Sequence, residues 1–141
     1  MQLTQQVQQT HVVLCQVEEY LPDKDCTPGD IFPEATTEHI CTSGYAQSVR
    51  SVSQKKKKKV YEMYGILKRS PGQYEIDHLV PLSLGGSNDI KNLWPQEVYI
   101  EFGTNEKDTI SRQLRKLVCD GKMPLGEAQK SIAANWKEAL R

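Results

Sequence analysis

The stretch from Tyr74 to Gln96, YEIDHLVPLSLGGSNDIKNLWPQ, constrains this chain more than any other part of it. It alternates polar and apolar residues from Tyr74, then runs apolar through Leu79, Val80 and Leu82, which suits a strand ending near His78. Leu84-Gly85-Gly86-Ser87-Asn88 follows with strong turn chemistry. Asn92-Leu93-Trp94-Pro95 reads as the returning strand, with Pro95 closing it. From Thr104, read as an N-cap, Ile110, Leu114, Leu117 and Val118 line one helical face, and Gly121 stops the helix.

The flanks read as helices and loop. Leu125, Ala128, Ile132, Trp136 and Leu140 recur every three or four positions, which predicts a bracing helix over about 124–140 with that stripe in the core. SVSQKKKKKVYEMYGI, from residue 51, predicts a helix with Ser51 or Ser53 near its N-cap and Gly65 near its end. Val52, Val60, Met63 and Tyr64 would form its buried side. Residues 1–20 read as a Gln-rich helix. Residues 21–46 read as loop, punctuated by Pro22, Thr27-Pro28-Gly29, Pro33 and Gly44. A chain of 141 residues suits one small domain. No apolar run approaches the ~20 residues a bilayer-spanning helix needs, which argues against a membrane protein. The start lacks a basic region followed by an apolar one, so the expectation is no secretory signal, or one already removed.

Zero net charge conceals a segregation that the whole-chain value misses. Residues 1–40 carry one lysine against seven acids, a net of −6, and form an acidic, loop-rich segment. Residues 41–91 carry nine basic and four acidic side chains, a net of +5, and residues 92–141 a net of +1. Potentials act through local patches, so an anionic partner belongs on the middle third. The cysteines, Cys15, Cys26, Cys41 and Cys119, form no C-x-x-C pair, which argues against a zinc knuckle. Two disulfides are expected, with Cys15–Cys26 and Cys41–Cys119 the preferred pairing. That would make the protein secreted or periplasmic, whereas four buried thiols would make it cytoplasmic.

Asp77-His78, followed fourteen positions later by Asn92 and then by a helix, is the arrangement that carries chemistry. A histidine at a strand end takes a proton from water when its other nitrogen is held. Asp77, on the opposite side of the backbone, suits a hard cation such as Mg²⁺. Asn92 on the facing strand would pin the intervening loop and orient the imidazole. A further metal ligand would come from the helix.

These residues resemble the core of the HNH endonucleases, in which two strands and a helix form a ββα-metal finger around one divalent ion. The likeness is to small bacterial and phage members with DH-(L/I)-(V/I)-P-L-x-L-GG followed by N-LWP. Further landmarks extend it over roughly residues 27–137, among them Thr27-Pro28-Gly29, Cys41-x-x-Gly44-Tyr45, Lys107-Asp108 and Val118-Cys119. The resemblance implies an α+β domain over 41–141, with the finger core over about 74–119 and flanking helices. It implies His78 as general base, Asn92 as the loop asparagine, and Asp77 as metal ligand. The helix ligand is open between Asn105, which is preferred, and Glu101. The ion would be Mg²⁺ first, with Mn²⁺ or Zn²⁺ as alternatives. The chain departs from the subgroup at Phe102-Gly103-Thr104, where Trp-Asn-Ala is usual, and at Ser111, where Glu is usual.

The implied activity is metal-dependent hydrolysis of phosphodiester bonds, in DNA ahead of RNA, with little sequence preference. Arg50, Lys55, Lys56, Lys57, Lys58, Lys59, Lys68 and Arg69 would hold the nucleic-acid backbone. Two other readings stand beside this one. One is a degenerate finger that binds nucleic acid without cutting. The other is a protein-interaction module whose acidic N-terminal segment meets a basic partner or covers its own groove. Trp94 and Trp136 read as core, and His11 and His39 as surface.

Overall fold

The computed structural model describes residues 14–141 and has an α+β fold. Short helices α1 (Thr37–Ile40) and α2 (Tyr45–Val49) precede helix α3 (Gln54–Met63). Strand β1 (Tyr74–His78) then pairs antiparallel with β2 (Leu93–Glu97), and helices α4 (Thr104–Cys119) and α5 (Leu125–Asn135) complete the chain. Among the described residues, no helix is long and apolar enough to cross a membrane.

β1 ends at His78, as its alternation predicts, opposite Leu93. Pro95 does not close β2 but sits within it, opposite Ile76. The bonds Leu79 N–H to Asn92 O (2.8 Å) and Val98 N–H to Gln73 O (3.1 Å) fix which pairs are hydrogen-bonded. By alternation Ile76–Pro95 is a non-bonded pair, so the proline's missing N–H costs the ladder nothing. Between the strands, residues 79–92 fold back through short 3₁₀ turns at Leu82–Leu84 and Ile90–Asn92. Gly86 permits this return: a Cβ there would lie 1.7 Å from Val80 O, so any side chain would force the loop open.

Gly103, not Thr104, caps α4, and Thr104 is the first helical residue. A Cβ on Gly103 would come within 2.8 Å of the Glu97 and Val98 carbonyls, which holds the turn from β2 into the helix tight. Leu114 and Val118 are buried as the periodicity predicts, but the buried stripe continues back through Ser111 to Lys107. Ser53 caps α3, accepting from Lys56 N at 3.1 Å, and Val60 and Tyr64 turn inward. α5 buries Ala128 and Ile132 and stops at Asn135, earlier than expected. There the Asn135 side chain caps a 3₁₀ turn that carries the buried Trp136, while Leu140 is exposed.

The N-terminal segment packs onto this frame. Residues 14–20 are not helical, and Glu19 and Tyr20 adopt left-handed backbone angles. The remainder of the helix expected over 1–20, with His11, lies outside the described residues. Thr27 is buried, with its hydroxyl donating to Leu93 O at 3.1 Å and 2.7 Å from the Tyr64 hydroxyl. Trp136 Nε1 donates to Tyr20 O at 2.9 Å, joining the segment to the C-terminal turn. His39 is exposed and completes a capping box with Thr36.

The cysteines form the expected pairs, Cys15–Cys26 and Cys41–Cys119, with sequence separations of 11 and 78. Loop-closure entropy predicts about 2.8 kcal/mol of stabilisation from the short loop and about 4.5 kcal/mol from the long one. In urea unfolding, a Cys41→Ser/Cys119→Ser variant should therefore lose more stability than a Cys15→Ser/Cys26→Ser variant. An equal or reversed loss would mean that native-state packing, not chain entropy, dominates.

Candidate active site

His78 and Asp77 close β1 and open into a cleft of about 330 Å³ formed with the N-terminal half of α4. Arg50, Glu75, Lys107, Asp108 and Arg112 complete its charged lining. His78 is only 5% exposed. Burial pushes its pKa below imidazole's ordinary 6.5, and the nearby cations Arg50 and Lys107 push the same way. The hydrogen bond to Asn88 and the charge of Asp77 oppose the shift without reversing it. The ring is therefore mostly neutral at pH 7, as a proton acceptor must be.

Asn92 pins the loop, and every hydrogen-bonding atom of its amide is used. Oδ1 accepts from Val80 N (2.9 Å) and Asp30 N (3.3 Å). Nδ2 donates to Val80 O (2.9 Å) and Ser87 O (2.8 Å). Its side chain makes no hydrogen bond to the imidazole. The residue that does is Asn88, whose Oδ1 lies 3.0 Å from His78 Nε2. Asn88 carries no motif signal and in the sequence is simply turn chemistry.

Lys107 is 2% exposed, and its Nζ donates to His78 O at 2.8 Å. The same nitrogen lies 2.9 Å from Asp77 Oδ2, a buried oxygen that takes part in no hydrogen bond. The approach falls outside hydrogen-bonding angles, so charge alone makes this ion pair. Because Oδ2 is enclosed and the Asp77 side chain remains 22% exposed, Oδ1 is the carboxylate oxygen left to the cleft. Glu75 and Asp108 face the same space. Desolvation and then the Asp77 charge raise the pKa of each, and repulsion between Glu75 and Asp108 adds to the shift of Glu75.

The two candidate helix ligands lie elsewhere. Asn105 is exposed on the first turn of α4, its carbonyl accepting from the Thr109 hydroxyl at 3.1 Å, and Glu101 sits in the exposed turn before the helix. Neither lines the cleft, and the α4 carboxylate that does is Asp108. No sequence signal singled out Asp108, because the burial of Lys107 beside it is set by contacts with Asp77 and His78 on another element. Among the described residues, no group of three His, Cys, Asp or Glu side chains forms a complete metal cage. Carboxylate oxygens with room for water suit Mg²⁺, which is held by one or two carboxylates and substrate phosphate, better than Zn²⁺, which takes three or four protein ligands.

The predicted basic residues divide by position. Arg50 is in the cleft. Lys56 donates from Nζ to Asn88 O at 2.8 Å and so ties α3 to the loop beside His78. Lys55, Lys58 and Lys59, with Lys56, flank a groove against Asp89 and Ile90, whereas Lys57 does not line it. Arg69 stacks its guanidinium 3.6 Å from the centre of the Tyr61 ring, and Lys68 is exposed.

Lys107→Met should cost about 3 kcal/mol in urea unfolding, the low end for breaking a buried pair because Asp77 stays partly hydrated. Adding Asp77→Asn should recover at least ~1 kcal/mol, since the orphaned charge then disappears. Additive losses in the double variant would show that the pair is not coupled. No family model, no curated protein and no solved structure matches the chain.

Proposed function

We propose that the protein is a divalent-metal-dependent endonuclease of the HNH type, with a ββα-metal finger formed by β1, β2 and α4. The observation that carries this reading is the cleft itself. It joins a buried neutral histidine, held at one ring nitrogen, to the carboxylates Asp77 and Asp108 and to Arg50.

His78 takes the proton from the attacking water, and its position at a strand end held by Lys107 and Asn88 keeps the ring from turning away. Asp77, through Oδ1, and Asp108 would hold the ion, Mg²⁺ or Mn²⁺ rather than Zn²⁺. When bound, the ion supplies positive charge at the phosphate and at the departing oxygen. Arg50, across the cleft, orients a non-bridging phosphate oxygen. Lys55, Lys58 and Lys59 hold the backbone of the strand, DNA ahead of RNA, and read no sequence. Two disulfides suit an oxidising compartment, so a secreted or periplasmic protein is favoured over a cytoplasmic one. A second reading, binding without cutting, draws on the Lys107 ammonium, which already neutralises Asp77.

The test is plasmid nicking with Mg²⁺, Mn²⁺ or EDTA. Wild type should cut only with metal, and His78→Ala should lose about 10²–10⁴-fold in rate. Metal-independent cutting, or full activity in His78→Ala, would reject the mechanism. No cutting of DNA or RNA, with salt-sensitive retention intact, would favour the second reading. In the active enzyme the acid limb of the pH–rate profile should fall below pH 6.5, because the depressed His78 pKa keeps the base form available at lower pH. Replacing Lys55, Lys58 and Lys59 by Gln should flatten the salt dependence of DNA binding by up to about 0.9 in log–log slope per lost contact.

A further inference from the structure

We infer that Asn88 is a positioning residue that sets the tautomer of His78, holding the proton on Nε2 and leaving Nδ1 as the nitrogen that accepts a proton in the cleft. This rests on the reading of His78 as the base.

The assignment follows from the partners of the Asn88 amide. One terminal atom lies 2.7 Å from the Val49 carbonyl oxygen, which can only accept, so that atom is Nδ2. The other is 3.2 Å from the Ser51 backbone N–H, which can only donate, so it is Oδ1. Turning the amide over would set oxygen against oxygen and N–H against N–H at both contacts. Two groups of fixed character thus decide an orientation that the amide alone leaves open. Oδ1 faces His78 Nε2 at 3.0 Å and has no hydrogen to give, so the imidazole must donate from Nε2. A neutral imidazole carries one N–H, and its lone pair therefore lies on Nδ1. Nδ1 makes no hydrogen bond with the described residues and is not enclosed, in a ring that lines the cleft.

Asn88 is itself held from several sides. Besides Val49 O and Ser51 N, its backbone carbonyl accepts from Lys56 Nζ at 2.8 Å. The α2–α3 connection and the first turn of α3 thus fix an amide that in turn fixes the ring. The asparagine of the motif, Asn92, is fully used by the loop and does not share this task.

The measurement is a long-range ¹H–¹⁵N correlation spectrum of the oxidised, histidine-labelled full chain, recorded at a pH where His78 is neutral, beside the plasmid-nicking rate. Wild type should show the Nε2–H form of His78. Asn88→Ala should give a mixture of the two tautomers and lose about tenfold or more in kcat with little change in KM. Lys56→Gln, which releases the other tether of Asn88 and leaves its Oδ1 in place, should keep the Nε2–H form and so control for loosening of the loop. An Nδ1–H tautomer in wild type, or an unchanged Nε2–H form in Asn88→Ala, would overturn the inference. If the spectra behave as stated while no variant, wild type included, cuts nucleic acid, Asn88 still sets the tautomer and it is the nuclease reading that fails.

Discussion

The Asn92 amide binds together pieces of chain that have no other reason to meet. Its four hydrogen bonds reach the residues after β1, the far side of the connecting loop and the N-terminal segment at Asp30. The partners are all backbone groups, and a buried amide or carbonyl left unpartnered costs about 1–3 kcal/mol. A two-stranded hairpin is marginal alone, and a fourteen-residue connection would ordinarily leave its strand ends free to fray. With Asn92 in place the loop becomes a fixed support, and the Gly86 return that it depends on can be held without a side chain.

On that support the cleft is built from opposed charges. Lys107 joins the helix to the strand end and pairs with Asp77, while Glu75, Asp77 and Asp108 repel one another across the same space. Arg50 and Arg112 line the cleft as well, so its three carboxylates face three cations, and Lys107 meets Asp77 from the enclosed side. Folding stability and site geometry thus share one ammonium group.

Much of this was legible in the sequence, in proportion to how local its cause is. His78 at a strand end, Asn92 in the loop and the Leu114–Val118 face follow from alternation, turn residues and helical spacing within a few positions of each. The cysteine pairing also held. Lys107 was not legible as a buried residue, because lysine is almost always a surface residue and only the two oxygens it meets, on another element, explain its burial. Asn88 gave no signal since its role is set by contacts with residues 49, 51 and 78. Asn105 was favoured because it follows the expected cap. The cap is Gly103 instead, one residue earlier, and it is Asp108, nearly one turn beyond Asn105, that lines the cleft. Pro95 misled for a similar reason: whether a strand tolerates proline depends on which pairs are bonded, a property of register and not of composition.

The Cys41–Cys119 bond has one further effect. It joins the end of α1 to the end of α4, so every residue of the cleft lies within a single covalent ring. The exposed turn between α3 and β1, with Leu67 78% exposed, lies in the same ring and is the kind of segment that proteases cut first. One cleavage there opens the ring into a chain whose two parts remain joined through sulfur. Such a nicked molecule keeps β1, β2 and α4 in one piece on the C-terminal side, and α3 tethered beside them, so peptide-bond breakage at its most accessible point does not by itself dismantle the site.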